Sequence, residues 1–188
     1  MTKLSVIFLS YAVNDDIYKM NCNAIDSLLQ SESWADGELE IILIESCKSS
    51  SYKYLREVKT IVPEERFNFH RFFNIGLDCS CGEFVAFCNN DVLFEDGWFS
   101  AMMRVKDRHP RFMCFSPIDD KYPGMTAEAL PRERDYYCGW DYGKYFAHGV
   151  LFGNAKFSKP LESLMKPLTS MLPMPTRPIH YVIMQFQV

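Results

Sequence analysis

The sequence predicts one α/β domain, built as a mainly parallel, twisted sheet with helices on both faces. Short apolar runs read as strands buried on both sides, and the segments between them carry apolar residues at helical spacing. Strands without a polar face need cover above and below, which a mainly parallel sheet with helices on each side supplies. A chain of 188 residues, 48% apolar and 15% aromatic, is long enough to bury such a core in one domain.

Leu4-Ser5-Val6-Ile7-Phe8-Leu9 is the first strand candidate, and Asn14-Asp15-Asp16 follows it as a helix-start signal. Ile17, Met20, Ala24, Ile25, Leu28 and Leu29 then recur at helical spacing, before a polar stretch over residues 31–37. Residues 39–44 repeat the buried-strand pattern. Ser49-Ser50-Ser51 predicts the cap of a second helix, whose stripe Tyr54, Leu55, Val58, Ile61 and Val62 stops at Pro63. After a short segment at 67–69, residues 71–79 read as a helix, 84–88 as a third strand and 98–109 as another helix. This order is Rossmann-like. Residues 112–116 and 146–152 are later strands, separated by a polar, aromatic loop over 117–142. A connection of that length suits an active-site rim. Residues 1–154 are expected to form the core. In the tail, 155–188, Pro160, Pro167, Pro173, Pro175 and Pro178 interrupt an otherwise apolar stretch.

The formal charge of -4 and the lack of a Lys/Arg-rich run argue against a general nucleic-acid binder, which needs a basic stripe to neutralise phosphates. Cys22, Cys47, Cys88 and Cys114, four of seven cysteines, sit in core-like segments and read as reduced thiols. Cys79-Ser80-Cys81 lacks the second pair or the histidines that a zinc site requires. The apolar run at 4–9 is too short for a signal-peptide core or a membrane span. The expected location is the cytoplasm, compatible with peripheral contact at the cytoplasmic face of a membrane.

Ligands of open parallel sheets bind beyond the carboxyl ends of the strands. Polar residues follow three of them: Ser10-Tyr11, Glu45-Ser46 and Asn89-Asn90-Asp91. A carboxylate after a buried strand can hold a hard divalent cation that neutralises a diphosphate. Another can accept hydrogen bonds from a base or ribose, and an aromatic ring can stack on the base. Each has a plainer reading: Asn89-Asn90-Asp91 as a turn, Glu45 as a solvated loop acid, and Tyr11 as packing.

Several segments together resemble the family-2 glycosyltransferases, which adopt the GT-A fold. Ser5-Val6-Ile7-Phe8-Leu9-Ser10-Tyr11 is similar to that family's opening strand, and Glu40-Ile41-Ile42-Leu43-Ile44-Glu45-Ser46 to its second. The most specific match runs through Phe73-Asn74-Ile75-Gly76-Leu77, Cys81-Gly82-Glu83-Phe84-Val85-Ala86-Phe87-Cys88, Asn89-Asn90-Asp91 and Asp96-Gly97-Trp98. In order, these resemble the family's Asn-x-Gly helix, its Gly-Glu/Asp-Tyr strand start, its Asp-x-Asp-type metal site and the Trp helix that follows. Asn89 stands where the motif has its first acid.

The resemblance implies transfer of a sugar from a nucleotide-diphosphate donor to a hydroxyl of a glycan or lipid-linked saccharide. It implies inversion and dependence on a divalent cation, manganese or magnesium. It also implies that Asp91 binds the metal and diphosphate, with Asn89 in the weaker first position. Ser10, Tyr11, Glu45, Asn74 and Asn90 then line the nucleotide-sugar site. Phe146-Ala147-His148-Gly149-Val150-Leu151-Phe152 resembles the strand leading towards the acceptor site, but the acidic pair that follows it in the family is missing. Asp135 and Asp141 are the candidate bases for the acceptor proton, and His180 is a candidate late metal ligand. A catalytically silent nucleotide-sugar-binding or partner module is the alternative. A nucleotidyltransferase ranks last, since residues 10–14 hold neither glycine nor a basic residue.

Overall fold

In the computed structural model, residues 2–108 are described in full, together with the backbone of four later strands, Cys114–Pro117, Tyr136–Gly139, Val150–Asn154 and Tyr181–Met184. The elements run β1 (Leu4–Ser10), α1 (Asp15–Gln30), β2 (Leu39–Glu45), β3 (Val58–Ile61), α2 (Phe69–Asp78), β4 (Phe84–Cys88) and α3 (Trp98–Arg108). Strands β5 (Cys114–Pro117), β6 (Tyr136–Gly139), β7 (Val150–Asn154) and β8 (Tyr181–Met184) complete the described set.

These strands form one sheet in the order β3-β2-β1-β4-β7-β5-β8-β6. β3, β2, β1 and β4 are mutually parallel, with Ser10 opposite Glu45 and Phe8 opposite Cys88. β7 runs antiparallel to β4 and to β5. β8 is parallel to β5 and antiparallel to β6. One strand of the proline-rich stretch, β8, therefore lies within the sheet.

Side chains alternate across a strand, so each strand feeds two cores. Leu4, Val6 and Phe8 of β1, Ile41 and Leu43 of β2, and Phe84, Ala86 and Cys88 of β4 pack with Ala24, Ile25 and Leu28 of α1. Trp98, Phe99, Met102 and Val105 of α3 complete that layer. Ile7, Leu9, Ile42, Ile44, Val85 and Phe87 face the other way, against Phe72, Phe73 and Leu77 of α2. Helices thus cover both faces, as the apolar runs require.

Local chemistry sets the helix ends. Asn14 caps α1 by accepting the Ile17 amide at 3.0 Å, with Asp15 and Asp16 in the first turn, where the helix dipole favours negative charge. Asn68 caps α2 in the same way through the Arg71 amide at 2.9 Å. Gly97 turns the chain into α3 with φ of +74°, a conformation that costs glycine little. The Trp98 indole then donates to the Ser31 hydroxyl at 2.8 Å, docking the start of α3 on the end of α1.

The helix predicted after Ser49-Ser50-Ser51 is not formed. Its stripe is divided between an irregular connection and β3, which pairs with β2 from Ile41 opposite Val58 to Ile44 opposite Ile61. Three of the four β3 residues, Val58, Thr60 and Ile61, are β-branched and suit a strand. The same strand satisfies the backbone groups along that side of β2, a gain that a surface helix cannot supply.

Candidate functional site

Parity along the strands decides which polar groups meet. Ser10, Glu45 and Asn90 each come two residues after a side chain of the α1-facing core: Phe8, Leu43 and Cys88. At the carboxyl edge of three neighbouring strands, that face changes from apolar to polar, and the three residues are joined there by hydrogen bonds.

Glu45 ends β2 only 2% exposed. Its carboxylate accepts the Ser10 hydroxyl at 2.7 Å, the Ala12 amide at 3.1 Å and the Cys47 amide at 2.7 Å. The solvated-acid reading therefore does not hold: these donors offset the cost of burying the charge. Ser46 fastens the same two loops, its amide and hydroxyl both donating to the Ser10 carbonyl, at 2.9 and 2.6 Å.

Ser10 has one proton, and it goes to Glu45, so the hydroxyl must accept from its next neighbour. That neighbour is Asn21 of α1, 1% exposed, whose amide nitrogen lies 2.8 Å from Ser10 Oγ and 2.6 Å from Tyr54 Oη. Asn21 Oδ1 in turn accepts from Asn90 Nδ2 at 2.8 Å. One chain of hydrogen bonds thus runs from the turn after β4, through α1, to the acid at the end of β2. Burial raises the Tyr54 phenol above its ordinary pKa, so it stays protonated at neutral pH.

Strand ends alone point to neither Asn21 nor Tyr54. For Asn21 a signal existed: it lies four residues after Ile17 and four before Ile25, so it interrupts the apolar stripe of α1 with an amide. In sequence, Tyr54 fits the stripe of the unformed helix. It belongs to the connection between β2 and β3, where Tyr52, Tyr54 and the α1 residue Tyr18 cluster. Tyr18 and Tyr52 stack with centroids 4.5 Å apart, and Tyr18 and Tyr54 lie 5.3 Å apart.

The remaining predicted residues fall around this chain. Tyr11, immediately after β1, is 60% exposed, which leaves its ring open to a planar ligand. Asp91 is exposed on the turn after Asn90, and Asn89 is half-buried at the end of β4. Asn74 is on α2, half-buried, with a buried Oδ1 that has no hydrogen-bond partner. Two residues after it, Gly76 lets α2 lie against β1: a Cβ there would stand 2.4 Å from Ile7 Cγ2. Asp135, Asp141 and His180 lie outside the described residues.

Among the described residues no three His, Cys, Asp or Glu side chains gather into a metal cage. A single exposed carboxylate still fits a divalent cation of the magnesium type, which keeps waters and takes further oxygens from substrate phosphates. Asp91, two residues after Asn89 in the chain, is an exposed carboxylate of this kind. No described helix is long and apolar enough to cross a membrane.

The family profile described as Glycosyl transferase family 2 matches residues 7–157. No curated protein matches the chain significantly in sequence. Among solved structures, residues 1–349 of S. aureus TarS superpose with a TM-score of 0.59 at 15% identity, covering 86% of this chain and 49% of that one. The same protein in complex with UDP-GlcNAc gives 0.59 at 14% identity, covering 100% and 60%. The mannosyltransferase PcManGT from Pyrobaculum calidifontis, in complex with GDP-Man and Mn2+, gives 0.60 at 13% identity, covering 85% and 46%. At these identities the superpositions establish the GT-A-like fold. This chain spans between 46% and 60% of the length of these structures.

Proposed function

We propose that this chain, which belongs to glycosyl transferase family 2, binds a nucleotide-diphosphate sugar along the carboxyl edge of β2, β1 and β4 and passes the sugar to a hydroxyl acceptor. The single observation that carries the reading is the hydrogen-bonded line from Glu45 through Ser10 and Asn21 to Asn90. Tyr11 follows Ser10 and Asp91 follows Asn90 in the chain, so an exposed aromatic residue and an exposed carboxylate adjoin this line. The relatives crystallised with UDP-GlcNAc and with GDP-Man and Mn2+ support a donor of this class and a divalent cation, manganese or magnesium.

In this reading Tyr11 stacks on the base, while Ser10 and Glu45 shape the floor beneath the nucleoside. Asn74, on α2, is assigned to the same donor site. Asp91, with Asn89, would hold the cation, and His180 would supply a late ligand. Bound there, a divalent cation provides positive charge against the diphosphate as it departs. The acceptor oxygen forms its bond to the anomeric carbon as the bond from that carbon to the diphosphate oxygen breaks, with inversion. The acceptor proton goes to Asp135 or Asp141. The acceptor class is a glycan or a lipid-linked saccharide.

One observation favours a second reading. The sequence has no acidic pair after residues 146–152 and no Asp after Asp141, which fits a module that binds a donor without transferring its sugar. The test has two stages. Thermal stability is measured against uridine, guanosine and thymidine diphosphate sugars with and without manganese, since a ligand selective for the native state raises apparent stability. Hydrolysis of the sugar that binds is then followed. A manganese-dependent shift with turnover supports the transferase, a shift without turnover supports the silent module, and no shift with any donor removes both.

A further inference from the structure

Asn21 is nine-tenths buried or more, yet it is polar, sits on the core-facing side of a helix and belongs to none of the strand ends. An amide in that position must be satisfied by design of its surroundings or cost stability. Here it is satisfied on both sides. Its nitrogen donates to Ser10 and Tyr54, and its oxygen accepts from Asn90.

The direction of every link is fixed. The Glu45 carboxylate only accepts, so Ser10 must donate to it and must accept from Asn21. Asn21 is thereby oriented with its oxygen towards Asn90, which must present its own NH2. Rotating either amide would set like groups against each other. The acid at the nucleotide end thus dictates how the turn bearing Asp91 is held, over three hydrogen bonds of 2.7 to 2.8 Å.

We propose that Asn21 is a positioning residue, which locks the Asn90-Asp91 turn to the Ser10-Glu45 pair and so couples the nucleotide end of the donor site to its diphosphate end. The inference rests on the donor-site reading above. Coupling of this kind is a free energy shared between two sites, and it is reciprocal: the cation raises nucleotide affinity by the factor by which nucleotide raises cation affinity. A merely structural Asn21 would affect unfolding and leave that factor alone.

The experiment measures, by titration calorimetry, the affinity for uridine, guanosine and thymidine diphosphates with and without manganese. The ratio of the two affinities for the nucleotide that binds is the coupling factor. Asn21→Leu and Asn90→Ala each cut it by about fivefold or more. The double variant loses no more than either alone, because both changes sever one link. Asn90 is half-buried on a turn, so its variant interrogates the link even if Asn21→Leu fails to fold. Binding by the wild type with an unchanged factor in Asn90→Ala, or additive losses in the double variant, overturns this inference alone. No binding of any diphosphate by the wild type overturns the donor-site reading, and this inference with it.

Discussion

Ser10 and Glu45 are direct partners in the parallel pairing of β1 and β2, and the Ser10 hydroxyl lies 2.7 Å from Glu45 Oε2. The same carboxylate holds the amides of Ala12 and Cys47. Glu45 therefore organises both loops that leave the sheet at this edge, and its loss is felt in the fold before it is felt by a ligand. Glu45→Ala leaves two buried amides and a hydroxyl without their acceptor, so it should lower unfolding stability by about 3 kcal/mol. Glu45→Gln, which keeps one carbonyl oxygen, should lose about half as much. Urea denaturation checks both, and an unchanged midpoint in Glu45→Ala would show that the carboxylate does not hold the loops.

Tyr11 should behave in the opposite way. Its ring is 60% exposed, so Tyr11→Ala removes little packing and should leave the melting temperature unchanged. Stacking on a base is worth about 1–3 kcal/mol, so nucleotide affinity should fall roughly tenfold, with Tyr11→Phe close to the wild type. Calorimetry on the wild type and the two variants decides the point. Equal affinity in Tyr11→Ala would place the base elsewhere.

Asp91 supplies the exposed carboxylate of the proposed cation site. Asp91→Ala should abolish the manganese dependence of nucleoside diphosphate binding while leaving the circular dichroism spectrum and melting temperature as they are. Asp91→Asn should fail in the same way, because the site needs the negative charge rather than the shape. Manganese dependence that survives in either variant would move the cation to other ligands.

Much of this architecture was legible in the residues. Strands β1, β2 and β4 were readable because both of their faces are buried, and α1 because Asn14 and a regular stripe bracket it. The apolar residues around Tyr54, Val58 and Ile61 fit helical spacing, although the segment forms an irregular connection and β3. Pairing with β2 outweighs that local pattern, and pairing is a tertiary term that spacing does not carry. Strand-end logic located Ser10, Glu45 and Asn90 separately, without the helix that joins them. The link through Asn21 depends on the depth at which α1 packs, and only an amide interrupting an apolar stripe hinted at it. Asp135, Asp141 and His180 are candidates by their chemistry alone, in segments where no hydrophobic period of the sequence fixes a position.

Gly76 tests how closely α2 must lie on the sheet. A Cβ at this position would come within 2.4 Å of Ile7 Cγ2, far inside van der Waals contact, and Ile7 is fully buried. Gly76→Ala should therefore destabilise the fold by about 1–3 kcal/mol through overpacking, despite alanine's better helix propensity. Ile7→Ala opens the space, so the double variant should be more stable than the sum of the two losses predicts. Simple additivity, measured by denaturation, would mean that α2 shifts to make room at no cost.

Tyr52 gives a prediction in pH. Its hydroxyl donates to Asp15 Oδ1 at 2.5 Å, and its ring stacks on Tyr18, which holds the connection after Glu45 against the first turn of α1. Ionising the phenol would lose the hydrogen bond and set a second negative charge beside Asp15, with Asp16 adding to the repulsion. The Tyr52 pKa is accordingly pushed up from 10.0 to about 12. A group whose pKa is raised on folding stabilises the native state fully below its unfolded value, and that contribution fades as pH climbs to the folded value. Tyr52→Phe keeps the stacked ring but has no proton to lose. The wild type should hold a constant advantage in melting temperature over Tyr52→Phe up to pH 10.0, which narrows through the window to about pH 12. Subtracting the variant's profile cancels the titration of the other tyrosines, so an advantage that stayed flat through this window would show that the Tyr52 hydroxyl does not engage Asp15 in solution.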